Sequence, residues 1–430
     1  MLKDFKDQSI VSKERPLEQR EIELVLDQMI GRLPEAGRIL IVPPDITRCC
    51  SYGGVIAAFL YKRLSEHADV YIMPAVGTHR AMTRKEQKEF LSEEIPEEAF
   101  LYHDWRKDTV KLGMVPAEFC SSVSDGKYNR TIDVEVDSRL TDGSFDLILS
   151  IGQVVPHEVV GMSNYSKNIL VGLGGRQMIN ESHMLGAVCD LEKIMGRRDT
   201  PVRAVFDYAE EHFLKDIPLV YILTVTSQKK GKTAVHGVFT GASRKVYEEA
   251  AALASLKNIT YLQKRVRKAV AYLDPEEFSS AWVGNKAIYR TRMIIEDGGE
   301  LLVIAPGLKT FGENTEADSL IRRYGYRGTE YTMDLVEKGK FQGMEMAAAH
   351  MIHSSSEGRF RITYAVNPHY LSREQIEAVG YEFLDVSEAL SKYPADLLED
   401  GYQRTKDGEE IYVIKSPALG VWKTSEEDLT

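Results

Sequence analysis

Long apolar runs are missing from this 430-residue sequence: nothing in it offers the about 18 uncharged apolar residues that a membrane-crossing helix needs. The segment from Met1 to Arg15 is charged and lacks the apolar centre of a secretory signal. A cytoplasmic protein is expected. Cysteine is scarce as well, and Cys49, Cys50, Cys120 and Cys189 form no C-x-x-C pair. Adjacent Cys49 and Cys50 are poorly placed to share a structural zinc, so reduced, mostly buried thiols are expected. Positive charge is in deficit, with 54 Lys and Arg against 65 Asp and Glu and a formal net charge of −11. Nonspecific binding to nucleic acid or an acidic membrane would want a basic face, which argues against both partners. A small anionic substrate needs only a few local cations, and Arg48, Arg80 and Lys309 stand in motif-like loops.

Several catalytic signatures are also absent. No H-E-x-x-H occurs, nor any G-x-S-x-G, which removes the zinc-protease helix and the nucleophile turn of the α/β serine hydrolases. No G-x-G-x-x-G follows the early strands, so a nicotinamide-dependent dehydrogenase lacks its phosphate-binding turn.

What is present is the ordinary balance of a globular protein, 43% hydrophobic and 28% charged, in a chain long enough for two domains. Short apolar runs alternate with amphipathic stretches. Strands are expected at Arg38 to Val42, Val70 to Pro74, Thr131 to Val136 and Phe145 to Ile151, and helices at Gly54 to Leu64, Thr83 to Leu91 and Ala204 to Phe213. This alternation predicts α/β architecture with mostly parallel sheets. A long helix-like segment from Ser243 to Tyr272 precedes a break at Pro275. It sets the expected boundary between an N-terminal α/β domain, 1–273, and a C-terminal α/β domain, 274–409. Within the latter, strands are expected at Glu300 to Ala305, Arg359 to Ala365 and Gly380 to Leu384. The tail, 410–430, holds a strand-like run, Glu410 to Ile414, expected to pack back on the first domain.

In open α/β sheets ligands bind beyond the carboxyl ends of the strands, and three such loops are chemically loaded. Pro43-Pro44-Asp45-Ile46-Thr47-Arg48 offers a carboxylate and a guanidinium, the latter suited to gripping a substrate carboxylate through paired hydrogen bonds. A turn salt bridge would use the same residues. Gly77-Thr78-His79-Arg80 places an imidazole at a strand end, where its ordinary pKa suits proton transfer near neutrality. The segment from Pro156 to His183 is the richest, holding His157, Ser163, Asn164, Tyr165, Lys167, the cluster Gly172-Leu173-Gly174-Gly175-Arg176, and His183. Glycines beside an arginine can bring backbone N–H groups to a phosphate, but they also make tight helix-to-sheet loops.

Taken together, PPDITR, GTHRAMT and PHEVVGMSNYSK followed by His183 resemble the nickel-pincer-nucleotide-dependent lactate racemase family of 2-hydroxy-acid racemases and epimerases. The resemblance covers chiefly the first domain. It implies an active site between two domains, with the second closing over it, and His79 and His157 as paired acid and base. It further implies that Lys167 holds the cofactor, a pyridinium-3,5-bisthiocarboxylic acid mononucleotide carrying nickel, and that His183 ligates the metal. Asp45, Thr47, Ser163, Gly174 and Gly175 would contact the cofactor, and Arg48 and Lys309 the substrate. The reaction implied is inversion at C2 by transient hydride transfer through a 2-keto acid, with cofactor-synthesis enzymes as partners. The chain departs from the family at Asn164 and Tyr165, where two glycines are common. Their hydroxyl-binding capacity favours a sugar acid over lactate as the expected substrate. Two other classes use the same residues, a nicotinamide-dependent 2-hydroxy-acid dehydrogenase and a non-catalytic nickel-nucleotide binding protein. Storage would not require both His79 and His157.

Overall fold

Burial selects the strands that frame the loaded loops. In Arg38–Val42 every residue after Arg38 is buried, and in Leu147–Gln153 all are, as strands covered on both faces require. In the computed structural model, which describes residues 5–229 and 232–424, these two strands lie side by side and parallel. The six-stranded sheet runs Gln8–Val11, Lys232–Gly241, Leu219–Lys229, Leu147–Gln153, Arg38–Val42, Asp69–Ile72. Its four strands from Leu219–Lys229 to Asp69–Ile72 are mutually parallel, and the other two are added antiparallel. Parallel strands end on one side. The loops after Val42, Ile72 and Gln153 therefore leave the sheet along the same edge.

Helices Gln19–Ile30 and Gly53–Leu64 contribute Ile22, Val25, Leu26, Met29, Ile56 and Leu60 to the core beside Ile39, Ile41 and Leu149. Helix Arg84–Phe90 starts at Thr83, whose hydroxyl accepts from the Glu86 N–H while the Glu86 carboxylate reaches back to the Thr83 N–H. The strand expected at Thr131 to Val136 forms as Ile132–Asp137 but stays outside the main sheet. It pairs antiparallel with Thr109–Val115 in a two-stranded ribbon.

Contacts divide the chain into two units, one holding residues up to Leu185 with Gly196–Asn258, the other holding Gly186–Met195 with the chain from Ile259 onward. The expected boundary at 273 is thus displaced. The helix begun at Arg244 stops at Asn258, and Val266–Tyr272 becomes an inner strand of a second sheet, with Ala269, Val270 and Ala271 fully buried. That sheet runs Glu382–Asp385, Arg361–Val366, Ile295–Ala305, Val266–Tyr272, Glu410–Ile414, Gly401–Arg404, parallel except for the last pair. The tail strand Glu410–Ile414 therefore belongs to the second unit and not the first, because its buried residues are hydrogen-bonded beside Val266–Tyr272. The next strand, Val421–Thr424, pairs with Ile259–Leu262 of the same unit. Gly186–Met195 is held there by Glu192, which accepts from Arg292 at 3.0 Å and from Arg359 at 2.8 Å. Among the described residues no helix is long and apolar enough to cross a membrane.

Candidate active site

The first loop builds an oriented imidazole. Asp45 is buried where Arg38–Val42 ends, and one of its carboxylate oxygens accepts from the Thr47 N–H at 3.0 Å and from the Thr47 hydroxyl. The other faces Nδ1 of His79 at 2.7 Å. Burial pushes the Asp45 carboxyl up, but the His79 contact, the Thr47 hydroxyl and the charge of Arg48 outweigh it and hold the group below its ordinary value. A carboxylate facing Nδ1 fixes the proton there, so in the neutral ring Nε2 is a lone-pair acceptor. Asp45 is thereby engaged by His79 and by Thr47. These contacts orient the His79 ring, where the family resemblance implied direct contacts to a cofactor.

His157 is set the opposite way. It lies in the short antiparallel pair Pro156–His157 and Gly161–Met162, and its Nδ1 accepts the Val159 N–H at 3.1 Å. Burial, opposed by Glu158 and reinforced by the charges of Lys167, Arg48 and His183, holds its pKa well below the ordinary value. The neutral ring then carries its proton on Nε2. His79 offers an acceptor and His157 a donor. Ser163 anchors this hairpin to the strand before it, donating to the Gln153 carbonyl at 2.7 Å and accepting the Val155 N–H at 3.0 Å, so its hydroxyl proton is engaged by the protein.

Lys167 follows a strained turn. Asn164 and Tyr165 both adopt positive φ, 67° and 59°, the geometry that a glycine pair takes without steric cost. The Asn164 amide oxygen accepts the Tyr165 N–H at 2.8 Å, and its amide nitrogen fills the space beside Gly152 where a Cβ would stand only 1.6 Å away. Tyr165 corrects an expectation. Its ring is buried against Tyr221 and Tyr247, with centroids at 4.3 Å and 5.6 Å, and its phenol is hydrogen-bonded to the Glu210 carboxyl, so it packs the core and does not line a substrate site. Burial raises Glu210 to about 7 against the hydrogen bonds of Tyr165 and Tyr221.

The residue that braces this turn is Arg203, fully buried on helix Pro201–Ala209. It donates to the carbonyls of Met162 at 2.9 Å and Asn164 at 3.1 Å and to the Ser166 hydroxyl at 3.2 Å, with its guanidinium 4.2 Å over the Tyr247 ring. Arg203→Met is expected to cost about 2 to 6 kcal/mol, because two buried carbonyls each lose a donor worth roughly 1 to 3 kcal/mol. Urea unfolding of the variant measures it. Lys167 itself is lowered to about 8, chiefly by burial and then by Arg48, against the pull of Glu158.

His183 sits on helix Arg176–Val188, its Nδ1 at 2.6 Å from the Ile179 carbonyl one turn back. Nδ1–H donates, and Nε2 keeps a lone pair. Burial and the charge of Lys167 lower its pKa to about 4, so that lone pair is open at neutral pH. An imidazole with one nitrogen tied to a backbone carbonyl is the usual state of a metal ligand. The glycines before this helix serve packing. A Cβ on Gly174 would stand 1.8 Å from the Leu170 carbonyl and one on Gly175 2.3 Å from the Glu135 carboxylate. Glu135 also accepts the Gln177 N–H at 3.0 Å, so an anionic side chain already occupies the helix start. A phosphate cradle at Gly174 and Gly175 is not supported.

Among the described residues one His and Asp group, His103, Asp108 and Asp137, lies within 4.8 Å. Its donors are spent on the protein. His103 faces Asp137 at 2.8 Å and the Gly174 carbonyl at 3.2 Å, while Arg139 takes both oxygens of Asp137. A guanidinium in the middle of the set opposes a cation.

Arg48, exposed and adjacent in charge to Asp45, His157 and Lys167, joins the first loop to the third. The structure thus brings Asp45, Arg48, His79, His157, Lys167 and His183 into one unit, with Glu158 and Arg203 as additions. Lys309 belongs to the second unit, where its ammonium lies 5.3 Å over the Tyr370 ring.

Residues 8–195 match the lactate racemase N-terminal domain family. Lactate racemase of Thermoanaerobacterium thermosaccharolyticum is 26% identical over 215 residues, 49% of this chain and 46% of that protein. The match therefore spans about half the length of that curated relative. The apoprotein structure of lactate racemase from the same organism superposes with a TM-score of 0.68 over 90% of this chain and 87% of that one, at 18% identity. A Thermotoga maritima protein solved by crystallography superposes with a TM-score of 0.81 over 97% of this chain and 100% of that one, at 23% identity.

Proposed function

We propose that the chain, whose residues 8–195 match the lactate racemase N-terminal domain family, racemises or 2-epimerises a small 2-hydroxy acid with a nickel-pincer nucleotide. The observation that carries this reading is the pair of imidazoles in opposite tautomers, His79 tied through Nδ1 to Asp45 and His157 accepting at Nδ1 from Val159. Inverting a hydroxy acid calls for a proton acceptor toward one hydroxyl orientation and a donor toward the other. A storage protein would have no use for an aspartate-oriented histidine.

The chemistry of the donors suits the cofactor at two positions. His183 would ligate nickel through Nε2, since imidazole is a fitting ligand and its Nδ1 is already held. Lys167, lowered to about 8, holds an appreciable neutral fraction near that pH and is competent to form the covalent attachment. When bound, the nucleotide supplies the hydride acceptor that spares the substrate a carbanion. Arg48 pairs with the substrate carboxylate and fixes which face of C2 is presented. His79 Nε2 takes the hydroxyl proton of one enantiomer, and Asp45 stabilises the imidazolium that results. His157 hydrogen-bonds the oxygen of the other through Nε2–H. To deliver that proton the ring must first take up a second proton, which the charge of a bound carboxylate favours, and His79 and His157 exchange roles when turnover runs in reverse.

Tyr165 gives its phenol to Glu210, so Asn164 alone retains extra hydroxyl-binding capacity. A lactate-sized acid and a sugar acid are then separated by activity on each. The test of the metal assignment is elemental analysis of protein produced with the cofactor-making enzymes. About one nickel per chain is expected, and His183→Ala is expected to lose it. Full activity in nickel-free protein would sink the proposal.

A further inference from the structure

The vicinal thiols Cys49 and Cys50 lie in the short helical turn Ile46–Ser51, directly after Arg48. Their sulfurs are 3.5 Å apart, Cys49 is exposed and Cys50 half-buried. Cys120 and Cys189 are buried, and burial pushes the Cys120 thiol up to about 11. The expectation of mostly buried thiols therefore fails at the loop that carries Asp45 and Arg48. The Gln228 amide donates to the Cys50 sulfur.

We propose that Cys49 and Cys50 are a site of reversible oxidation, closing to a vicinal disulfide in the presence of a hydroperoxide. One thiolate attacks the peroxide, its O–O bond breaks, and a sulfenic acid and one molecule of water or alcohol form. The second thiol then displaces hydroxide from that sulfur, the S–S bond forms, and water leaves. Two thiols lose two electrons and two protons in total, and the peroxide accepts them.

Closure has a structural consequence. A disulfide is about 2.05 Å long, so the sulfurs must approach by roughly 1.5 Å across a single peptide unit, which strains the ring and leaves it easily reduced. The C-terminal side of the turn cannot yield, because Thr226 donates to the Cys50 carbonyl at 2.8 Å and Thr224 to the Ser51 carbonyl at 2.7 Å. The displacement falls on Arg48, whose backbone already departs from helical values at φ −108°, ψ 39°, and through it on the turn that holds Asp45 against His79.

The experiment uses the full chain, treated with hydrogen peroxide, alkylated and mapped by mass spectrometry. The peptide holding Cys49 and Cys50 should be lighter by two hydrogens, resist alkylation, and recover both on treatment with dithiothreitol, while Cys120 and Cys189 stay alkylatable. Cys49→Ser should abolish the mass loss. The His79 ring resonances in an NMR spectrum should shift on oxidation of the wild type and stay fixed in Cys49→Ser. Irreversible sulfinic acid without a disulfide, a disulfide between chains, or oxidation of Cys120 or Cys189 first would each overturn the assignment. Unmoved His79 resonances in the oxidised protein would overturn its transmission to the site. None of these readouts depends on racemase activity.

Discussion

His79→Ala and His157→Ala should each lower turnover by about 10²- to 10⁴-fold, the usual worth of a positioned acid or base, with the fold intact. The losses have different physical sources. His79 is half-exposed and held by a buried carboxylate, so Asp45→Asn should reproduce much of the His79→Ala defect by releasing the tautomer while leaving the imidazole in place. His157 is held in its hairpin by the Val159 N–H, and its pKa is set by burial and by the cations around it. Asp45→Asn should leave that group unchanged. Steady-state kinetics in both directions, with circular dichroism to check folding, separate the two. Wild-type rates in both histidine variants would place the chemistry elsewhere.

Lys167→Met should abolish activity and the covalent attachment proposed above, and at the same time stabilise the protein at neutral pH. The folded-state pKa of about 8 lies below the ordinary 10.5, so between those values the folded chain binds fewer protons than the unfolded one. The contribution of this lysine to stability is fully present above pH 10.5 and is lost as pH falls through 8. At pH 7 its ammonium is a burden of about 3 kcal/mol at 1.36 kcal/mol per pKa unit, reduced to about 2 kcal/mol because the mostly buried side chain keeps a partial opening to solvent that screens the charge. Methionine removes that burden, which corresponds to a rise in Tm of roughly 4 to 8 °C for a unit of this size. The gain should vanish above pH 10.5. Calorimetry across that range measures it, and a Tm lowered at pH 7 would mean that Lys167 has a structural partner the site description lacks. A residue whose loss inactivates and stabilises is placed for function.

The strands that frame the site were legible because they are short and buried on both faces. RILIV and FDLILSI carry nearly continuous apolar character, and the loaded loops follow directly from where those runs end. The histidines were legible by order and spacing. What they touch was not. Nothing in the sequence links Asp45 to His79, since that contact depends on how loops from separate strands converge. The contact of His183 with the Ile179 carbonyl one turn back depends on Arg176–Val188 being helical and on the ring's rotamer. At Gly174 and Gly175 the sequence leaves two readings open, because a tight backbone approach and a phosphate cradle both demand glycine, and only the position of Glu135 and the Leu170 carbonyl separates them. Tyr165 was misread for a similar reason. Its positive φ turns the ring into the Tyr221 and Tyr247 cluster, which its polar character could not foretell. The boundary moved because the apolar run after Asn258 continues as strand and not as helix, and strand and helix are hard to distinguish in short apolar runs. Arg203 did leave a signal, a lone arginine in the otherwise apolar stretch Pro201 to Val205, where an unpaired charge would be expensive to bury.

The most direct measurement follows deuterium placed at C2 of a 2-hydroxy acid, with lactate, malate and aldonic acids tried in turn on protein produced with the cofactor-making enzymes. Protons held on His79 and His157 exchange rapidly with water, whereas a hydride that leaves C2 and returns to it never meets solvent. Inversion with the deuterium kept at C2, and a primary isotope effect where hydride transfer limits the rate, is the expected result. Wash-in of solvent hydrogen at C2 in step with inversion would contradict it.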